Sequence, residues 1–72
     1  MEHYAVIQNI NGGCTVIFEG NDPVALEVNY YQHVASLLND TGAVNGVVKL
    51  VDGNLDVYDG CVKFINKPAK EG

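Results

Sequence analysis

The stretch VDGNLDVYDG, residues 51–60, carries Asp-Gly twice, seven residues apart, with Asp52, Asn54 and Asp56 alternating at its start. It reads either as a calcium loop or as strands joined by tight turns. A helix–loop–helix calcium site needs oxygen ligands at loop positions 1, 3 and 5, glycine at 6 and glutamate at 12. Counted from Asp52, the first three fit, but Val57 stands at 6 and Lys63 at 12, so a cation replaces the bidentate ligand. Asp-Gly is also a preferred two-residue hairpin loop of the I′ type. With Asp52-Gly53 as one loop, Leu50 faces Leu55 and Val48 faces Val57. With Asp59-Gly60 as another, Val57 faces Val62 and Leu55 faces Phe64. Side chains alternate along a strand, so one face of this meander gathers Val48, Leu50, Leu55, Val57, Val62 and Phe64. The other face sets Asp56 between Lys49 and Lys63, an opposite-charge cross-strand row. Turns therefore account for the stretch better than a metal loop.

Outward from it, residues 4–10 and 14–19 form a second hairpin about Asn11-Gly12, with Ile7 facing Val16 and Gln8 facing Thr15; Gly13 leaves room for a bulge or a three-residue loop. Gly20-Asn21-Asp22-Pro23 reads as a turn into a helix, with Asp22 as N-cap and Pro23 in the first turn. The helix is expected to end near Leu38, with Asn39 to Gly42 as its stop. Its apolar arc takes in Val24, Leu26, Val28, Tyr30, Tyr31, Val34, Ala35, Leu37 and Leu38, wider than the ~100° stripe of a surface helix. His33, Asn29, Gln32, Ser36 and Asn39 lie opposite, with Glu27 the one misfit. Within residues 24–31 the segment LEVNYY also alternates as a strand would, so strand stands as the alternative there. The expected fold is α+β: an N-terminal β-hairpin, one helix and a C-terminal three-stranded antiparallel meander. Residues 1–66 make a single domain and 67–72 a polar tail.

Composition narrows the function classes. The chain has 72 residues, a net charge of −5 and four lysines without arginine, so it lacks the basic cluster that phosphate binding uses. No apolar run approaches the ~20 residues of a membrane span. Met1-Glu2-His3-Tyr4 lacks the basic start and apolar core of a secretory leader, which implies synthesis in the cytoplasm. Asn39-Asp40-Thr41 matches a glycosylation sequon and reads as a helix end. Cys14, Cys61, His3 and His33 are the soft metal ligands, at no paired spacing. NGGC lacks the GK[ST] of a phosphate loop. No catalytic residue, metal site or cofactor is expected, and no nucleic acid, membrane or small-molecule substrate as partner.

What remains is apolar surface. The far face of the expected meander carries Val47, Val51, Tyr58 and Ile65 around Lys49, Asp56 and Lys63, and the first hairpin adds Val6 and Ile17. Monomers this small rarely expose such area. These seven meander residues are the expected interface, for self-association or for docking on a larger assembly. On this reading Val51→Lys and Ile65→Lys dissociate the assembly and leave the fold intact.

GNLDVYDGCVKFI, residues 53–65, resembles the trimerising C-terminal hairpin of the fibritin family of tailed-phage virion proteins: glycine, an alternating strand, Asp-Gly, then a strand with a large apolar residue. The fibritin-like hairpin carries tryptophan just after the turn, where Cys61, Val62 and Phe64 stand here. The small, acidic, arginine-free chain also resembles phage capsid decoration and fibre-associated subunits. The resemblance implies a non-enzymatic structural protein of a virion, made in the host cytoplasm. The alternative is a small acidic inhibitor of a host protein, with Glu19, Asp22, Glu27, Asp40, Asp52, Asp56 and Asp59 standing in for phosphates; these acids are scattered among turns.

Overall fold

A computed structural model describes residues 2–67. Its elements run β1 (Tyr4–Ile10), β2 (Gly13–Gly20), α1 (Pro23–Leu38), β3 (Asn45–Val51) and β4 (Val57–Asn66). The strands form one antiparallel sheet in the order β2-β1-β3-β4, with α1 across one face. The α+β class and the order of hairpin, helix and C-terminal antiparallel strands stand as expected.

Local chemistry places the first half of the chain. Asn11 and Gly12 take positive φ, 54° and 88°, and Ile10 pairs with Gly13, so the first loop is the expected two-residue turn. The register Ile7–Val16 and Gln8–Thr15 holds as read; one extra residue, Ile17, then bulges between Val16 and Phe18. The bulge keeps Ile17 packed on the core. Asn11 also ties this turn to the start of β3: its amide accepts from Val44 N (3.1 Å) and Asn45 N (3.2 Å) and donates to Gly42 O (2.6 Å).

The helix begins and ends where the sequence places it, and residues 24–31 are helical, not strand. Asp22 accepts from Val24 N (3.1 Å) and Ala25 N (3.5 Å), satisfying donors the helix leaves open. Asn39 is the C-cap, its side chain donating to Ala35 O. Lys67 Nζ donates to the carbonyls of Leu37 and Asp40, both at 2.6 Å, and so puts a cation at the negative end of the helix. Lys67, the first residue of the expected polar tail, is thus tied to the helix end; residues 68–72 lie outside the described residues.

The C-terminal strands differ in register, and one loop is the reason. Leu55 N donates to Asp52 O and Asp52 N to Asp56 O, both at 2.9 Å, so Asp52 faces Asp56 across Gly53-Asn54-Leu55. Asp52 Oδ1 accepts from Asn54 N (2.8 Å) and Asp56 N (3.1 Å), and Leu55 takes the left-handed conformation at φ 67°. The loop therefore has three residues, a turn closed by a left-handed one, and Val51 pairs with Val57. Asp59 and Gly60 take the positive φ of an I′ turn, 54° and 69°, but form a kink inside β4, which then resumes its pairing with β3 as Lys49–Val62, Val47–Phe64 and Gly46–Ile65.

Against the expected Leu50–Leu55 pairing the first loop shifts β4 by an odd number of residues, and an odd shift exchanges faces. Val57, Val62 and Phe64 do share a face, as read. It is the face of Val47, Lys49 and Val51, not that of Val48 and Leu50. The core under α1 is instead Tyr4, Val6, Val48, Leu50, Cys61 and Ile65, met by Leu26, Tyr30 and Leu37 from the helix. Each fully buried aliphatic here contributes about 1.5–3 kcal/mol.

Candidate functional site

The sheet has one face under the helix and one open. Read across β2, β1, β3 and β4, the open face is built of three rows: Cys14, Asn9, Val47, Phe64; then Val16, Ile7, Lys49, Val62; then Glu19, Ala5, Val51, Val57. Phe64 is 72% exposed, and Val16, Val57 and Val62 are exposed beside it. Ile7, Val47 and Lys49 are half-buried by their neighbours, and Val51 is fully covered. The result is a largely apolar surface with the cation Lys49 near its middle and with Asn9 and Glu19 in its outer rows.

The seven residues expected as an interface are split by this geometry. Val47 and Lys49 lie on the open face, half-buried. Val51 shares that face but is buried, and Ile65, at 1% exposure, sits under the helix. Neither can be touched by a partner while the domain is folded. Tyr58 is half-buried, its ring edge-on to Tyr4 with centroids 5.2 Å apart. Asp56 is in the loop, and Lys63 pairs with Val48 on the helix side of the edge strand, so the Lys49–Asp56–Lys63 row does not form. Val6 and Ile17, expected on the far face, belong to the core. Phe64, Val62 and Val16 take their place. Val62 and Phe64 are expected from alternation on the core face of the meander; the structure turns them outward.

Polar groups gather at one end of the sheet. A cleft of about 380 Å³ is lined by Glu2, His3, Tyr4, Asp52, Asn54 and Tyr58. Four of its titratable groups, Glu2, His3, Tyr4 and Asp52, have polar partners within the protein. Tyr4 donates to Glu2, which with burial pushes its pKa up to about 12. That contribution to stability is complete below the unfolded phenol value of 10 and is lost as pH rises through about 12. Asp52 caps its own loop, and His3 Nε2 lies 3.6 Å from Glu19. Among the described residues no three His, Cys, Asp or Glu side chains converge as metal ligands, and no helix is long and apolar enough to cross a membrane.

His33, expected on the helix's solvent side, instead hydrogen-bonds Gln8 and meets Phe18 edge-on. The misfit Glu27 has a partner too: the Cys61 thiol donates to it at 3.5 Å. Burial first, then Glu27, pushes the Cys61 pKa up, whereas Cys14 is exposed at the corner of the open face. The thiolate is the reactive form. A native-state thiol titration at pH 8 should therefore show one fast group, Cys14, and one at least ~100-fold slower that appears only on unfolding. Two thiols reacting at one rate in the folded protein would place Cys61 at the surface.

No family model, curated protein or solved structure matches this chain.

Proposed function

We propose that the protein is a non-enzymatic assembly subunit that docks through the open face of its sheet onto a larger protein structure. The observation that carries this reading is the row Val47–Phe64 beside Val16 and Val62: large apolar side chains, presented on the open sheet face and held there by the backbone ladder. A small domain gains nothing in stability from an exposed Phe64, and a partner's apolar surface would recover its burial energy. Half-buried Lys49 near the middle gives the face polarity. A partner with a carboxylate or carbonyl opposite it satisfies the ammonium; a second copy stacked face to face would bring two lysines together. Docking on another protein fits this face better than self-stacking.

A virion structure, of the capsid-decoration or fibre-associated kind, is the setting that the resemblance of residues 53–65 favours. The acidic-inhibitor alternative has less support. Asp22, Asp40 and Asp52 are engaged in capping backbone N–H groups, and they do not form a row spaced like phosphates.

Co-expression with the products of the neighbouring genes, followed by purification of the resulting particles, tests the proposal. The wild type should co-purify at fixed stoichiometry, and Phe64→Lys, folded by circular dichroism, should stay in the free fraction. Equal incorporation of the variant, or a wild type that joins no particle, overturns it.

A further inference from the structure

Lys49 stands near the middle of the open sheet face without a partner. In the three rows of that face Lys49 and Glu19 alone are charged. Glu19 stands at a corner, two strands and one row away, with His3 3.6 Å from it. The ladder neighbours of Lys49 are Ile7 on β1 and Val62 on β4, both apolar. Among the described residues Lys49 makes no hydrogen bond or ion pair, although it is half-buried.

In the free domain a lysine stem lies along apolar neighbours and its head stays in water. Docking changes that. A partner laid on this face strips water from the ammonium, and a desolvated charge without an acceptor opposes binding strongly. The ammonium has three donors and no acceptor, so the group opposite it must accept. Asn9 narrows the choice. It is exposed on the same face, paired with Val47, and so is a diagonal neighbour of Lys49 across β1 and β3. Its carboxamide also has no hydrogen bond among the described residues. Two donors from two side chains suit an acceptor with two oxygens, and a negative charge makes both bonds stronger. A carboxylate meets both conditions; a backbone carbonyl meets neither.

We propose that the open face recognises a protein segment in which an aspartate or glutamate stands among apolar side chains, its carboxylate seated between Lys49 and Asn9. The proposal rests on the docking reading above and names the central group of the partner. The net charge of −5 does not oppose it. Apart from Glu19, the described acids sit in the N-terminal segment, the loops, the helix and the β4 kink. Surface charges more than about 8 Å away are screened at physiological ionic strength.

One substitution separates this partner from a wholly apolar one by the sign of its effect. Lys49→Met keeps the length of the side chain and removes the charge. Against an apolar surface it tightens docking. Against a carboxylate it leaves that group unpaired and weakens docking at least about 30-fold.

Particles formed with the products of the neighbouring genes supply the assay. Lys49→Met, folded by circular dichroism, should show that loss, and Asn9→Ala a smaller one of about tenfold. Wild-type particles treated with a water-soluble carbodiimide, which joins an amine to a carboxyl group in contact as an amide with loss of water, should yield a cross-linked peptide. It should join Lys49 to an aspartate or glutamate of the partner. Equal or tighter docking of Lys49→Met, undiminished docking of Asn9→Ala, or cross-links that avoid Lys49 overturn the carboxylate seat. If Phe64→Lys stays free in the same assay, the docking reading still stands. Failure of that reading shows separately, as a wild type that joins no particle or as unimpaired incorporation of Phe64→Lys, and either result removes the seat with it.

Discussion

Replacing Ile65 by lysine is expected to unfold the domain, while the same replacement at its neighbour Phe64 leaves it folded. The two residues differ by one position on β4 and so point to opposite sides of the sheet. Ile65 is 1% exposed and packs with Val48, Leu50 and Tyr30 under the helix. Among the described residues no buried polar or charged side chain is present that could receive an ammonium there. A charge buried without a partner costs several kcal/mol, and a domain of this length has roughly 4–10 kcal/mol in all. Phe64, at 72% exposure, loses little in the monomer when it becomes lysine. Thermal melting followed by circular dichroism decides the matter. A cooperative wild-type-like melt for Ile65→Lys, or loss of structure for Phe64→Lys, would mean that β4 presents its other face to the helix. The expectation from sequence, that Ile65→Lys and Val51→Lys spare the fold, is reversed here for one reason: both side chains are buried.

Gly46→Ala is the second change with a large effect. Gly46 pairs with Ile10 on β1 and with Ile65 on β4, where three strands lie side by side. A Cβ built on it falls 1.9 Å from the carbonyl oxygen of Asn9 and 2.9 Å from Ile10 Cα. Both neighbours are backbone, so neither can swing aside as a side chain would. Relief requires β1 and β3, the two central strands, to separate at this end of their ladder, which disturbs the pairing there and the Asn11 N–Asn45 O bond beside it. The cost is about 3 kcal/mol or more, at the upper end of overpacking effects. In a domain of this size that lowers Tm by roughly 15 °C, given 4–8 °C per kcal/mol. Gly12→Ala is the comparison, because nothing lies within 4 Å of a Cβ there and only its φ of 88° opposes the change. If Gly46→Ala melts within about 3 °C of the wild type, a shift of less than ~0.5 kcal/mol, β1 and β3 do not approach as described.

The sequence alone determined the elements whose signals are local. Asp22 and Pro23 start the helix and Asn39 ends it, because a cap is a hydrogen bond between near neighbours. Asn11-Gly12 closes the first hairpin, because few residues other than asparagine and glycine sit comfortably at positive φ. The grouping of Val57, Val62 and Phe64 on one face was legible from alternation. Which face of β3 they join was not. That depended on whether the loop after Val51 holds two residues or three. The Asp52 carboxylate settles it by accepting from both Asn54 N and Asp56 N, which carries Leu55 into the left-handed conformation and shifts the strand. Asp-Gly is equally at home in a two-residue turn, in that longer loop and in the kink at Asp59-Gly60, so the dipeptide could not choose among them. The candidate surface inherits the same ambiguity. Alternation names two sets of side chains, and only the packing of α1 onto Val48, Leu50 and Ile65 decides which is core and leaves Phe64 and Val62 for a partner.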